Sequence, residues 1–389
     1  MRIIQPQQEV CLLVRVLISA GGTAGHVLPA LTVLEALKKM HPSASALFVG
    51  EQEGMERELV TRTSTPFRSV RAGAMHGVGV VHMMRSSVRL AVGFVQSLQL
   101  IRELRPDVVF LTGGFVGVPV SLAAWARRVP SVVFLPDVEP GLAVRMMARF
   151  ATRVAATTPA SALFFDARRF VATGYPLRPE FKQATRAEGR ARLGIAEDAR
   201  VVLVYGGSRG ARSVNRALLR DLPALLEDDR KVVLHVSGKT DWEEVRAARE
   251  NLTDVQRVRY FAFPYLHEEM PLAMAAADVV VCRAGASVLG ELTYLGLPAI
   301  LVPYPHAWRY QQVNARYLAE RGAATILPDA ALAAPGVLAN AVNALLDDAD
   351  RRDAMRRAAR ALAVEDGAER LARLLLETAN MKAHSLGEA

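Results

Sequence analysis

Short apolar runs of strand length alternate with segments of helical periodicity along most of the chain. The strand-like runs of the first half are VRVLISA, SALFVG, DVVFLT, SVVFLP and RVAATT. Those of the second half are RVVLVYGG, KVVLHVSG, RVRYFAF, DVVVCRA and PAILVPY. Stretches such as VLPALTVLEALKKM and VPVSLAAWARR separate them with helical spacing. The alternation predicts an α/β fold, with parallel strands joined by crossover helices.

The two halves repeat one motif, which predicts two similar domains. LISAGGTAGHV and LVYGGSRGARS each place two glycines, a hydroxyl residue and a third glycine between a strand and a helix. A chain of 389 residues also exceeds one ordinary hydrophobic core. We therefore predict two doubly wound parallel-sheet domains that face each other across a cleft, residues 1–165 and 166–350. Residues 351–389 are expected to form an amphipathic helical tail that packs across the structure.

Composition indicates the cellular compartment of the protein. No stretch reaches the roughly 18 uncharged apolar residues of a membrane-spanning helix. Arg15 interrupts the first apolar run and no small-residue cleavage site follows, so about ten N-terminal residues are interpreted as a leader and not as a signal peptide. The two cysteines, Cys11 and Cys282, lie in separate strand-like runs. This placement argues against a disulfide framework and favours the cytoplasm.

Charge adds an indication of the partner. The net charge is +9, and residues 1–165 hold 17 lysines and arginines against 10 aspartates and glutamates. The remaining residues hold 31 against 29. A basic first half suits an acidic partner, such as nucleic acid, anionic lipid or a phosphorylated substrate. Ordinary solubility is the alternative explanation.

The two glycine loops are the first candidate sites. A glycine turn that opens a helix after a parallel strand offers backbone N–H groups and a positive helix end to an anion. The glycines concerned are Gly21, Gly22 and Gly25 in the first half and Gly206, Gly207 and Gly210 in the second. Tight turns without a ligand are one alternative. A dinucleotide site with Glu51 on the ribose is another, although Ala20 stands where its fingerprint requires glycine.

A third candidate site is CRAGASVLGELTYLGLPAILVPYPHAWRYQQVNA, residues 282–315. Small residues again open a helix, and Glu291 lies one to two turns into it. His306 follows in a proline-rich loop, and Gln311 and Gln312 come shortly after it. A carboxylate accepts hydroxyl protons while amides both donate and accept, so this run suits a ribose or a sugar.

Seven short motifs in a fixed order give the chain a family resemblance. They are GGTAGHVLPAL, GGFVGVPVSLAAW, PGLA, GYPLR, GGSRGA, CRAGAS…GEL and PYPHA…Q…NA. Over residues 14–345 the chain resembles the MurG-type glycosyltransferases. The resemblance implies a GT-B fold and inverting transfer of N-acetylglucosamine from UDP-N-acetylglucosamine to lipid I, undecaprenyl-diphospho-muramoyl pentapeptide. The product would be lipid II of peptidoglycan synthesis, made at the cytoplasmic face of the cell membrane.

The resemblance also implies donor-binding residues in the second domain. Glu291 would accept the ribose hydroxyls, and Arg178 would neutralise the diphosphate. The other implied donor contacts are Ser208, Arg209, Ala286, Ser287, Val288, Leu289, Gln311 and Gln312. No Asp-x-Asp lies in a candidate site loop, so helix ends and arginine are expected to replace a metal ion. No cofactor is expected.

In the first domain, the resemblance points to His26 as the general base that takes the proton of the acceptor hydroxyl. The alternative is a histidine that only caps local backbone groups. The acceptor diphosphate would lie on the surrounding loops, at Gly22, Thr23, Ala24, Gly25, Gly113 and Gly114. Residues 75–98, with Arg85 and Arg89 among apolar side chains, suit an anionic membrane surface, chiefly through Val80–Met84. A core-facing helix is the alternative for that segment.

The chain departs from the family pattern in two motifs. FLPD, Phe134–Asp137, replaces the usual His-Glu-Gln-Asn, and Arg209 replaces a glutamine. Both changes are expected to fall in the cleft, where Asp137 becomes a second candidate base or a ligand of a sugar hydroxyl. The alternative functions are a related glycosyltransferase with another sugar or acceptor, a non-catalytic nucleotide-sugar-binding module, and a dehydrogenase. Nucleic acid is not expected as a partner.

Overall fold

The computed structural model describes residues 13–73, 80–207, 210–305 and 309–387, with side chains except at 80–85 and 382–387. Several residues or side chains to which the sequence assigns a role therefore lie outside the described ranges. They are the leader with Cys11, residues 75–79, Ser208, Arg209, His306 and the side chains of Val80–Met84.

Seven parallel strands form the first sheet. They are β1 (Arg15–Ala20), β2 (Ser45–Gly50), β3 (Phe67–Ser69), β4 (Val108–Gly113), β5 (Ser131–Leu135), β6 (Arg153–Ala156) and β7 (Phe170–Ala172). Their order is β3-β2-β1-β4-β5-β6-β7. Because the order reverses between β1 and β4, the loops after these two strands diverge and leave a crevice at their carboxyl ends. β7 lies beyond residue 165, where we predicted the first domain to end.

Six parallel strands form the second sheet. They are β8 (Arg200–Tyr205), β9 (Lys231–Val236), β10 (Tyr260–Phe263), β11 (Val279–Cys282), β12 (Ala299–Leu301) and β13 (Ala324–Ile326). Their order is β10-β9-β8-β11-β12-β13, so the reversal falls between β8 and β11. The two sheets confirm the predicted α/β class with two parallel-sheet domains.

Helices cover both faces of each sheet. Around the first sheet lie α1 (Ala24–Met40), α2 (Met55–Thr61), α3 (Val80–Leu104), α4 (Gly117–Ala126) and α5 (Leu142–Ala148). The next helices are α6 (Pro179–Gln183), α7 (Arg186–Leu193), α8 (Arg212–Leu225), α9 (Trp242–Glu250), α10 (Asp254–Arg257) and α11 (Met270–Ala276). The chain continues with α12 (Val288–Leu295), α13 (Tyr310–Ala319), α14 (Val337–Asp347), α15 (Ala349–Ala361) and α16 (Gly367–Gly387). None of the described helices combines the length and apolarity that a membrane crossing requires.

Strand side chains alternate between two hydrophobic clusters, one on each face of the sheet. In the first domain, Ile18 packs on the face covered by α1 and α16, whereas Leu17 packs on the face covered by α3 and α4. Burial of a side chain of this size stabilises the fold by about 1.5–3 kcal/mol. Burial on both faces explains why the strand sequences are apolar without interruption.

The C-terminal helices contact both domains. α15 packs against α12 and α14, whereas α16 returns to α1 and places Leu371 and Leu375 in a core cluster of the first domain. On the way the chain passes very close to the interdomain segment at Gly174. A Cβ at Gly174, which has φ +87°, would lie 2.5 Å from Val364 Cβ, so only glycine fits at this crossing.

Candidate active site

The switch-point loops of both sheets meet at a buried asparagine. Asn314 of α13 has its side chain between the loop after β5 and the loop after β11. Its Nδ2 donates to Asp137 Oδ1 at 2.7 Å and to the Ala284 carbonyl at 3.1 Å. Its Oδ1 accepts the Val138 N–H at 3.0 Å. The two domains are thus joined beside their candidate sites, and residues of both line one cleft.

His26, the third residue of α1, is oriented by the backbone of its own loop. Its Nδ1 lies 3.1 Å from the Gly21 carbonyl oxygen and 3.3 Å from Thr23 Oγ1. Because a carbonyl oxygen only accepts, Nδ1 carries the ring proton and Nε2 keeps a lone pair. The side chain therefore makes a local backbone contact, and that contact leaves Nε2 as a proton acceptor.

The loop after β4 lies directly against the His26 loop. A Cβ at Gly113 would lie 2.7 Å from Cδ2 and 2.8 Å from Nε2 of His26, so the imidazole rests on this glycine. A Cβ at Gly114 would lie 2.7 Å from the Gly21 carbonyl oxygen. Gly113 and Gly114 have φ of +131° and +80°, a backbone region that favours glycine. The predicted acceptor loops, residues 22–25 and 113–114, therefore lie side by side.

Only part of the FLPD departure reaches the cleft. The expectation that all four residues line it is wrong, because Phe134 and Leu135 lie in β5 and are buried in the two cores of the first domain. Asp137 does reach the cleft and is partly exposed. Burial raises the pKa of its carboxyl group, while the bond from Asn314 and the charge of nearby His26 act in the opposite direction. Asp137 and His26 are thus close enough to interact.

The second domain contributes a partly buried carboxylate and an arginine. Glu291 lies in the first turn of α12, where burial raises its pKa and the charge of Arg178 and the Ser287 hydroxyl lower it. Burial also raises the pKa of the Tyr175 hydroxyl, which responds to the charges of Glu291, Arg178 and Asp137. Charged groups of both domains therefore lie near the buried Tyr175.

The remaining predicted donor contacts differ in what they can offer. Val288 and Leu289 have their side chains in a core cluster, so only their backbone N–H groups are available at the start of α12. Gln311 Oε1 accepts the Tyr304 N–H at 2.8 Å. Gln312 is exposed and lines a crevice of about 280 Å³ at the ends of β12 and β13. The two glutamines thus have different surroundings, and Gln311 has its amide oxygen engaged.

The loop between β10 and α11 also contacts the candidate donor residues, although no motif in the sequence points to it. Arg178 Nη1 donates to the His267 carbonyl at 3.3 Å, and the Tyr265 ring meets the His267 ring edge-on with centroids 4.5 Å apart. Burial raises the pKa of Tyr265, and Arg178 and Glu291 are among the charges that act on it. The only sequence signal is the run of aromatic residues after a strand, in YFAFPYLH.

Metal-ligand groups and the cysteine of the described residues were also considered as chemistry for the site. Within the described ranges, no group of three or more His, Cys, Asp or Glu residues is arranged to hold a metal ion. Cys282 is a buried free thiol at the end of β11, and burial raises its pKa to about 12. It is therefore a neutral packing residue and not a nucleophile.

Comparison with known proteins identifies the family. Residues 16–156 match the glycosyltransferase family 28 N-terminal domain, and residues 201–371 match the family 28 C-terminal domain. The chain belongs to glycosyltransferase family 28. This membership confirms the predicted enzyme class, a hexosyltransferase, and sets the dehydrogenase alternative aside.

Two curated relatives carry the same name. The proteins of Desulforudis audaxviator and Roseiflexus sp. are each named UDP-N-acetylglucosamine--N-acetylmuramyl-(pentapeptide) pyrophosphoryl-undecaprenol N-acetylglucosamine transferase. The first is 42% identical over 90% of this chain and 94% of its own length. The second is 41% identical over 92% of this chain and 93% of its own length. The chain is therefore a MurG-type member of family 28.

The fold of family 28 is also seen in a solved structure. The crystal structure of MurG from Acinetobacter baumannii aligns with a TM-score of 0.73 and 24% identity. The alignment covers 94% of this chain and 99% of that one. The predicted GT-B fold is confirmed.

Proposed function

We propose that this family 28 enzyme transfers N-acetylglucosamine from UDP-N-acetylglucosamine to lipid I and forms lipid II. The names of relatives above 40% identity support the substrates. The observation that carries the chemistry is the placement of His26. Its Nδ1 faces the Gly21 carbonyl and its Nε2 rests on Gly113, at the edge of a cleft whose other side holds Glu291 and Arg178.

In this proposal the reaction is a single displacement at the anomeric carbon. The acceptor hydroxyl oxygen attacks C1 of N-acetylglucosamine and passes its proton to Nε2 of His26. The bond from C1 to the diphosphate oxygen breaks, and UDP leaves with the bonding electron pair. One displacement inverts the configuration at C1. The Gly21 carbonyl stabilises the imidazolium that forms, because it already accepts a hydrogen bond from the Nδ1–H group.

The two domains divide the binding work. In the second, Glu291 accepts ribose hydroxyl protons, while Arg178, Ser208, Arg209 and the start of α12 offset the charge of the diphosphate. Gln311, through its amide N–H group, and Gln312 bind the sugar. In the first, residues 22–25 and 113–114 offer backbone N–H groups to the acceptor diphosphate.

The acceptor requires contact with a membrane, and we assign that contact to α3 and the end of α4. Val88 and Val95 on α3 are 64% and 63% exposed, and Trp125 at the end of α4 is 60% exposed. Arg89 lies beside Val88, and α3 packs directly on α4. Exposed apolar side chains next to arginine suit the anionic cytoplasmic surface of the cell membrane.

The test is release of UDP from UDP-N-acetylglucosamine, with and without a lipid I analogue. We expect release that depends on the acceptor, and slower release when UDP-glucose replaces the donor. Donor binding without acceptor-dependent release would contradict lipid I as acceptor. In that case the departure at Asp137 would direct the search toward another acceptor.

A further inference from the structure

A further contact joins the two domains, and the proposed reaction does not use it. Arg62 follows the last residue of α2 in the first domain. Its Nη1 donates to Nε2 of His267, in the loop between β10 and α11 of the second domain, at 2.8 Å. A guanidinium group only donates, so Nε2 of His267 accepts and Nδ1 carries the ring proton. We call this contact the Arg62–His267 clasp.

Arg62 is oriented for this contact by its own helix. Its Nη2 donates to Glu58 Oε1, one turn earlier on α2, at 2.5 Å. The guanidinium fork thus makes two bonds at once, one within the first domain and one to the second. A lysine has a single ammonium group on a flexible stem and does not reproduce this fork.

On the other side of the clasp, His267 contacts the predicted donor site. Its carbonyl accepts from Arg178 Nη1 at 3.3 Å, and its N–H donates to Glu269 Oε2 at 3.3 Å. Burial, Arg62 and Arg178 lower the pKa of the imidazole, while Glu269 and Glu268 act in the opposite direction. The ring is therefore neutral at pH 7, which is the state that accepts a bond from Arg62.

We propose that the Arg62–His267 clasp holds the cleft closed over the bound nucleotide sugar, with Arg62 as a positioning residue for transfer. The proposal rests on the proposed function, in which Arg178 binds the donor diphosphate. His26 and the donor belong to different domains, so the distance between Nε2 and the anomeric carbon depends on how the domains are held. The bond from Arg62 restrains that distance beside the proposed donor site, because His267 also contacts Arg178.

The experiment measures dissociation of a fluorescent UDP analogue by stopped flow, together with kcat. Arg62→Ala should speed dissociation about two- to fivefold, the range expected for an exposed pair, and should lower kcat. Arg62→Lys should fall between Arg62→Ala and the unmodified protein. The matched control is Arg57→Ala, because Arg57 lies on the same helix and its contact is with the Gln52 carbonyl of its own domain.

A double-mutant cycle separates the clasp from a general effect on α2. His267→Ala removes the imidazole but keeps the carbonyl that Arg178 contacts, so it should match Arg62→Ala, and the double variant should add nothing further. Dissociation unchanged in Arg62→Ala, or effects that multiply in the double variant, would overturn the clasp. Intact coupling without acceptor-dependent UDP release would overturn the proposed function alone. No binding of UDP by the unmodified protein would overturn both.

Discussion

The glycine loops of the two domains occupy equivalent positions but bring different chemistry to the cleft. Each follows the strand at which the order reverses, β1 or β8, and each opens a helix, α1 or α8. The helix after the first loop carries His26 in its first turn, and the His26 imidazole lies on Gly113. The helix after the second loop begins with Arg212, whose Nε donates to Asp241 at 3.0 Å within its own domain. We propose that the shared turn binds an anion in each domain; the side chain that follows the turn differs between the two.

The same contrast extends to the rest of the site. Around the first loop, the proposed reactive group is the His26 imidazole, which the Gly21 carbonyl holds through Nδ1. Around the second, the groups are the partly buried carboxylate Glu291 and the cation Arg178. A base suits a hydroxyl nucleophile, whereas a carboxylate and a cation suit a ribose and a diphosphate. Variants in the first domain should therefore change proton transfer, and variants in the second should change donor binding.

The largest expected effect comes from His26→Ala. Loss of a general base lowers kcat by about 10²–10⁴-fold. The affinity for UDP should stay unchanged, because His26 lies in the first domain. Initial rates and a UDP titration of the same preparation measure both quantities. If turnover survives, His26 is not the base, and Asp137 becomes the preferred residue.

A second variant tests the position of the ring without removing it. Gly113→Ala would push a methyl group against His26 and should lower kcat by about 10²-fold, the scale of a 1 Å misplacement. Gly194→Ala is the matched control. It also has positive φ, +64°, but a Cβ there meets nothing within 4 Å. Equal losses in both variants would point to backbone strain and not to the ring.

On the donor side, Glu291→Ala should weaken UDP binding and leave the first domain intact. Loss of a charged hydrogen bond to ribose is worth about 1.5–3 kcal/mol, which is roughly 10–150-fold in affinity. Isothermal titration with UDP measures it. Glu243→Ala is the control, because Glu243 is an exposed carboxylate of the same domain paired with Arg246. Unchanged affinity in Glu291→Ala would refute the ribose assignment.

The sequence predicts the interior of each sheet and one of the four edge strands, β10, but misses the other three edge strands. All ten apolar runs become strands, whereas β3, β7 and β13 were missed. Each of these three strands has only three residues and lies at a sheet edge, hydrogen-bonded to one neighbour. Three residues cannot establish a period, and an edge strand needs less apolar sequence because one side is unpaired.

In the candidate site, the sequence predicts residues but not the contacts that they make. His26, Asp137 and Glu291 stand out in the sequence because their residue types suit the chemistry of a motif. The partner of Asp137 does not, because Asn314 lies 177 residues away and meets it only when two domains come together. The tautomer of His26 also depends on a contact that the residue type does not specify, the bond to the Gly21 carbonyl.

The smallest expected effect, and the one that probes the boundary between the domains, belongs to Asp137→Asn. The folded-state pKa of Asp137 is raised, so its charged form costs stability. That cost is absent below the unfolded pKa of about 3.9 and grows as pH rises through the folded pKa. An asparagine can still accept the bond from Asn314 and carries no charge. Thermal melts should therefore show Tm raised by about 1–3 °C at pH 7, with the gain disappearing as the pH falls below about 3.9. A lower Tm at pH 7 would mean that the charge of Asp137 stabilises the contact between the domains, and would contradict a net cost of that charge.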